Sequence, residues 1–222
     1  MFKTELHCHS CQISQCARVS NSDIIEKFTQ SGYSTVVLTN HFSRYTMEAV
    51  KATDWNDWVD KYVSAYESLK ADAAGKLNIL FGIELHFDEN SNDYLVFGVT
   101  EKMLKENVNL FASNPEAFHK ITLENGCLFI QAHPFRNGMT VVRPEHLDGV
   151  EVFNGHFGHD SRNEIAEMWA EKFDLIKTAG TDFHYMTSPA NGGILTECEI
   201  TSTEQLIEIL KSGNYTLNKQ LN

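Results

Sequence analysis

At 222 residues, with 42% hydrophobic and 22% charged side chains, the chain has a globular composition and enough apolar material for a substantial core. Its formal net charge of −12 argues against binding a nucleic-acid backbone, which needs a basic face, but not against a small phosphorylated substrate held through locally bound cations. No apolar run approaches the ~18 residues of a membrane span, the opening MFKTELHCHS has no apolar signal segment, and the five cysteines form no disulfide framework; a cytoplasmic protein without membrane contacts is expected.

In chain order, TELHCH (4–9) reads as a first strand, short and rich in alternating side chains. SNSDIIEKFTQSG follows as a helix, with Ser20 as N-cap, Asp23 three residues on and Gly32 as its stop. STVVLTN (34–40) is a second strand. A long helix in TDWNDWVDKYVSAYESLKADAAG then sets Trp55, Trp58, Val59, Tyr62, Tyr66 and Leu69 on one stripe and ends at Gly75. Strands NILFGIEL (78–85) and YLVFGV (94–99) are separated only by the turn-rich HFDENSND, which leaves no room for a helix and predicts a hairpin. Helices over 101–111 and 115–125, strands CLFIQAH (127–133) and GVEVFN (149–154), and a helix over 160–172 come next. LIKTAGTDFH (175–184) and GILTECEI (193–200) are the last strands, and 203–212 the last helix. No repeat, low-complexity tract or linker interrupts the series, so one domain spanning 1–222 is expected. Strands alternating with helices imply mostly parallel pairing, here a compact α/β barrel with one irregular unit.

The residues that carry chemistry cluster at the ends of these strands. His7 and His9 close the first, His41 follows the second, Glu84 lies near the end of the third, His133 closes FIQAH, and Asp182 and His184 close the strand at 175–184. The spacing of His7 with His9, and of Asp182 with His184, puts each pair on one face of an extended strand. In parallel α/β folds the C-terminal strand ends gather on one face, so all seven are expected to converge. Imidazoles with carboxylates suit Zn²⁺, Mn²⁺ or Fe²⁺, and one ion takes three or four protein ligands. Seven candidates therefore imply two to three divalent ions with a bridging carboxylate, an arrangement suited to hydrolysing phosphate esters with metal-activated water.

Other candidates are weaker. Arg136 in AHPFRNG has a planar fork suited to phosphate oxygens, with Arg18 a lesser candidate of the same kind. His86, His119, His146, His156 and His159 match no strand-end pattern and read as structural, although His156 and His159 directly follow EVFNG. In CHSCQISQC a zinc knuckle is disfavoured, because Cys8 alternates with His7 and His9 and a second ligand pair is missing; Gln15 and Cys16 are placed at the rim of the site. There is no Gly-rich phosphate loop, nucleophile elbow or dinucleotide fingerprint.

Taken together and in order, ELHCHS, VVLTNHF, FGIEL, QAHPFR, GVEVFNG and AGTDFH resemble the PHP (polymerase and histidinol phosphatase) family of metal-dependent phosphoesterases, from about residue 3 to residue 200. The resemblance implies a distorted (β/α)7 TIM-like barrel and a cluster of up to three ions, commonly zinc, manganese or iron. By the same resemblance His7, His9, Glu84 and Asp182 would hold one ion, Glu84 would bridge to a second with His133, and His41 and His184 would belong to a third. Four departures stand out. Asn40 occupies a position usually held by Asp, Ser14 and Gln15 replace an Asp or His, no histidine between Glu84 and His133 serves the second ion (Asp93, His86 and Thr100 being poor substitutes), and ANGG (190–193) replaces GRGG. The implied activity is hydrolysis of a small phosphate ester such as histidinol phosphate, a nucleotide or a sugar phosphate. Asp182 and His184 would act in catalysis as well as ligation, and Arg136 would hold the phosphate. The acidity counts against proofreading exonuclease work, and a stand-alone domain without an appended polymerase segment or basic arm is expected. The alternative is a PHP-like barrel that binds metal in a regulatory or scaffold role, motivated by Gln15 and the thin second-ion shell. Amidohydrolase-type C–N hydrolysis would call for a bridging mid-barrel lysine, which no strand end offers.

Overall fold

Ten strands form one curved sheet in a computed structural model that describes residues 1–220. They are β1 (Phe2–Cys8), β2 (Tyr33–Leu38), β3 (His41–Phe42), β4 (Asn78–His86), β5 (Asp93–Phe97), β6 (Leu128–Gln131), β7 (Gly149–Asn154), β8 (Ile176–Gly180), β9 (Ile194–Thr196) and β10 (Thr216–Leu217). The spatial order is β10-β9-β1-β2-β4-β5-β6-β7-β8, with the two-residue β3 alongside β4. Pairing is parallel for β1–β2, β2–β4, β6–β7 and β7–β8. A further parallel bridge between Cys8 and Phe183 draws the segment after β8 onto β1. The result is a nearly closed, distorted TIM-like barrel.

The irregular unit is β5, antiparallel to both β4 and β6. The loop between β4 and β5 is too short for a crossover, so a hairpin is the only connection it permits. The pairing of His86 with Asp93 across that hairpin brings Asp93 to the same end of the barrel as Glu84.

The helices follow the sequence signals closely. Helix α1 (Asn21–Gln30) starts in a capping box: the Ser20 side chain accepts from the Asp23 amide, and the Asp23 carboxylate accepts from the Ser20 amide. A short α2 (Arg44–Ala49), like β3, had no signal long enough to read; it is held by the same local device between Ser43 and Thr46. Helix α3 (Trp55–Ala73) buries Trp55, Trp58, Val59, Tyr62 and Leu69, as its stripe requires. The helix expected over 101–111 divides into α4 (Glu101–Glu106) and a 3-10 turn at Leu110–Ala112. Helices α5 (Pro115–Glu124), α6 (Asn163–Phe173) and α7 (Thr203–Ser212) complete the outer layer. Among the described residues no helix is long and apolar enough to cross a membrane.

Packing beneath the site is aromatic. Phe42 meets Trp58 at 5.2 Å, Tyr62 at 5.1 Å and Phe111 at 5.5 Å between ring centroids, and all four are buried. Full burial of such side chains contributes ~2–3 kcal/mol each. That cluster anchors the residue next to His41 and so limits where its ring can go.

Strand ends depart from expectation in one respect. Strand β1 stops at Cys8, β6 at Gln131 and β8 at Gly180, so His9, His133, Asp182 and His184 lie beyond regular strand. Asp182 and His133 both adopt positive φ, +51° and +29°. Convergence of Asp182 with His184 therefore comes from a turn across the barrel mouth, not from strand alternation.

Candidate metal centre

Glu84, near the end of β4, is the hub of the site. Its Oε1 lies 3.1 Å from His7 Nε2 and 3.3 Å from His133 Nε2, and its Oε2 lies 2.7 Å from His41 Nδ1 and 3.4 Å from His9 Nε2. Asp182 Oδ1 faces His7 Nε2 and His9 Nε2, each at 3.4 Å, and His184 Nδ1 at 3.2 Å. All seven strand-end candidates, His7, His9, His41, Glu84, His133, Asp182 and His184, are thus brought together. Ligand atoms lie within 4.8 Å of one another in four sets: His7/His9/Asp182, His7/Glu84/His133, His41/Glu84/Asp93 and His9/His41/His184.

Burial makes this concentration of charge consequential. Desolvation opposes ionisation of Glu84, but the facing His7 and His41 and the bonds from His133 and His41 outweigh it and hold the carboxyl well below its usual range. Asp182 is likewise held low, by His7 and His184 against its own burial. His7 is buried too, yet Asp182, Glu151 and Glu84 hold it well above its ordinary value. His9 goes the other way: burial and the neighbouring His184 and His41 keep it neutral.

These residues fit divalent ions. His7 Nε2, His9 Nε2 and Glu84 Oε2 are buried without a hydrogen-bond partner. Orphaned polar atoms of this kind are rare and costly, at ~1–3 kcal/mol each. A cation placed among them would supply the partner that each lacks. The donor set of imidazoles and carboxylates suits zinc, manganese or iron.

A supporting layer fixes the ligands. Glu151 Oε1 holds His7 Nδ1 at 2.9 Å, while its Oε2 accepts from the His133 amide and from Asn154 Nδ2, both at 3.0 Å. The same Asn154 amide donates to Asp182 Oδ2 at 3.1 Å, so one side chain ties β7 to both halves of the site. Gly180 permits this approach, because a Cβ there would lie 2.4 Å from His7 Cβ and 2.6 Å from Glu151 Oε1. Asn40 Oδ1 accepts from the Ser10 amide at 2.7 Å and from Ser14 Oγ at 3.1 Å, and Ser14 Oγ lies 3.2 Å from His9 Nδ1. Asn40 thus braces the loop after β1 and makes no direct contribution to the ligand sets.

Some residues read differently in three dimensions. Asp93, discounted from its position in the sequence, has Oδ2 at 3.8 Å from His133 Nε2 and joins a ligand set. Only the β4–β5 hairpin brings it there. Arg136 Nη2 lies 3.4 Å from Asp93 Oδ2, with its side chain 23% exposed, which places it at the site's edge. His86 bonds Asp93 at 2.9 Å, whereas His119 and His146 reach only Asp148 and Glu116, away from the centre. The His156 ring lies 5.5 Å from that of His184 and 4.5 Å from that of His159. Burial, with His184 and His159 nearby, pushes His156 down to about 4. Cys8 is buried in an apolar cluster with Val19 and Phe28, as expected of a residue facing away from His7 and His9. Gln15 and Cys16 line a cavity of about 430 Å³ together with His41, Ser43, His86 and Asp93. The Cys16 thiol, in spite of partial burial, is lowered to about 6 by hydrogen bonds to His184 and His41.

The model of the PHP domain matches residues 5–214. The chain belongs to the PHP domain family. Among curated proteins, none matches it in sequence. Similar solved structures include PsfC from Pseudomonas syringae, 16% identical with a TM-score of 0.67 over 93% of this chain and 87% of that one. A protein from Bifidobacterium adolescentis, provisionally assigned as a metal-dependent phosphoesterase, is 14% identical with a TM-score of 0.56 over 95% and 96% of the two chains. Endonuclease Q, in complex with a 27-mer duplex substrate that carries an abasic lesion at its active site, is 13% identical with a TM-score of 0.63, over 95% of this chain and 56% of that one. At these identities the likeness is one of fold. It nevertheless corrects the expectation that no nucleic-acid backbone would be bound. This PHP-type fold accepts duplex DNA in that enzyme, so the net charge of −12 is no ground for excluding nucleic acid. The physical reason is that phosphate is met by the local field of a site, and cations bound there can invert the charge of an acidic surface.

Proposed function

We propose that this PHP domain is a metal-dependent phosphoesterase that hydrolyses a small phosphate ester, a phosphomonoester such as histidinol phosphate, a nucleotide or a sugar phosphate. The observation that supports this most is Glu84, a buried carboxylate approached by the rings of His7, His9, His41 and His133. In this reading two to three ions of zinc, manganese or iron are held in one barrel domain. His7, His9, Glu84 and Asp182 would hold one ion, Glu84, His133 and Asp93 a second, and His41 and His184 a third. When bound, such ions activate water and neutralise the charge that develops on phosphoryl oxygen.

The chain's own residues supply orientation and proton control. Asp182, fixed by Asn154, sets the His184 ring through its carbonyl oxygen at 3.0 Å from Nδ1. That leaves His184 Nε2 free to ligate or to hand a proton to the leaving oxygen. Arg136 would take two phosphate oxygens in its fork, with Asp93 holding it in place. The five free cysteines suit the cytoplasm.

The test is phosphate release from a broad panel of esters, with a lesion-bearing DNA duplex included, by manganese- or zinc-loaded protein. Asp182→Ala should lose at least about 100-fold in turnover, and Arg136→Met should raise KM more than it lowers kcat. Stoichiometric metal with no release from any substrate would replace the phosphoesterase with a metal-binding regulatory barrel.

A further inference from the structure

Two loops bring aromatic side chains outside the ligand sets to the barrel mouth. The loop after β7 carries His156 and Phe157, and the turn after β8 carries Tyr185, next to His184. The rings of His156 and Phe157 lie parallel within 4°, with centroids 5.4 Å apart. That of Tyr185 stands at 65° to His156 and 67° to Phe157, at 6.4 and 6.0 Å. Together they make a corner, with a floor and one wall. Its inner end is the candidate ligand His184, whose ring lies 5.5 Å from that of His156 and 6.3 Å from that of Tyr185. Its outer end is open to solvent, since Phe157 is 59% exposed.

Both loops are pinned. The Asn163 side chain accepts from the Asn154 amide at 3.0 Å and donates to the Asn154 carbonyl at 3.2 Å, and the Arg162 guanidinium donates to the Phe135 carbonyl and to Asn137 Oδ1. On the opposite side the Arg18 amide donates to the His184 carbonyl at 2.8 Å, and the Ser188 amide to the Tyr185 carbonyl at 2.9 Å. Within the corner the Gly158 amide donates to His156 Nδ1 at 3.0 Å, which orients that ring and leaves its proton on Nε2. A surface held in this way loses little further freedom when a ligand settles on it. An exposed apolar patch rimmed by polar groups marks a binding site.

We propose that His156, Phe157 and Tyr185 form a subsite for a nucleobase, so that the ester cleaved at the neighbouring centre is a nucleotide. The inference rests on the phosphoesterase reading for the place of the phosphate, beside His184. A base on the floor of the corner stacks on Phe157 and meets Tyr185 with its edge. The His156 N–H is a donor that a ring nitrogen or an exocyclic oxygen accepts, which favours a heteroaromatic base over a phenyl group. The aromatic floor favours either of them over a bare sugar. Stacking holds a neutral ring, so the net charge of −12 does not oppose it.

The decisive experiment uses ligands without phosphate, which separates the subsite from the reaction. Titration calorimetry of the zinc-loaded protein should show adenosine binding at least about tenfold more tightly than ribose. Phe157→Ala should weaken adenosine at least about fivefold, and Phe157→Trp should restore it. Phe157 faces solvent, so neither substitution threatens the fold. Adenosine that binds no better than ribose, or equally well to wild type and Phe157→Ala, would overturn the subsite. Phosphate release is followed separately. Tight adenosine with no release from any ester supports the subsite and removes the phosphoesterase. Equal kcat/KM for adenosine 5′-phosphate and ribose 5-phosphate removes the subsite and keeps the phosphoesterase.

Discussion

Glu5 offers a sharp test of how the barrel floor is built beneath the metal centre. It is completely buried, and its Oε1 accepts from the amides of Leu6 at 3.0 Å, His7 at 2.8 Å and Thr181 at 2.8 Å, while Oε2 accepts from the Thr181 hydroxyl. Desolvation nonetheless dominates these bonds and pushes its carboxyl from the ordinary 4.5 up to about 7. In the unfolded chain Glu5 loses its proton near 4.5, and in the folded chain only near 7. Between those values the folded state binds the extra proton, so its stability falls as pH rises across the window and levels off above it. The gap corresponds to roughly 3 kcal/mol. Glu5→Gln keeps the acceptor for the three amides, lets its own amide donate to Thr181, and removes the titration. Denaturant unfolding of the metal-free proteins from pH 4.5 to 8 should show wild type losing roughly 3 kcal/mol relative to Glu5→Gln, mostly below pH 7. Parallel profiles, or a wild type that gains on the variant as pH rises, would refute the argument that burial outweighs the hydrogen bonds.

Two further outcomes concern the scaffold. Gly192→Ala should cost at least ~2 kcal/mol, read as a lowered Tm, because its Cβ would fall 2.1 Å from the Gly180 carbonyl carbon and 2.3 Å from the Thr181 nitrogen, which are backbone atoms that cannot step aside; an unchanged Tm would show that this crossing is looser than described. Tyr62→Phe should cost ~1–2 kcal/mol in a denaturant midpoint, since the buried hydroxyl donates to the Asn40 carbonyl at the start of the His41 segment. A variant as stable as wild type would mean that this carbonyl finds another donor.

Much of this protein is legible along the chain because it depends on local chemistry. The capping box at Ser20 and Asp23, the apolar stripe of α3 and the short HFDENSND turn each act within a few residues, and each forms as its pattern demands. The seven candidate ligands were also visible, because residue type and position at a strand end are local facts and a parallel barrel gathers such ends on one face. Short elements such as β3 and α2 gave no periodic signal and went unread.

What only the tertiary structure decided is which atoms meet. Asp93 reaches His133 through pairing across the β4–β5 hairpin, and Glu151 and Asn154 brace three ligands from a neighbouring strand. Asp182 turns into place at positive φ beyond the end of β8, and the Arg18 amide pins the loop after β1 to the His184 carbonyl. These contacts join residues far apart in sequence, and their geometry is set by barrel closure and by loops pinned at both ends. Sequence by itself thus determined the kinds of ligand present and the layer architecture that collects them. The order in which carboxylate and imidazole face one another was decided by folding, because local preference acts over a few residues and the centre is assembled across the whole barrel.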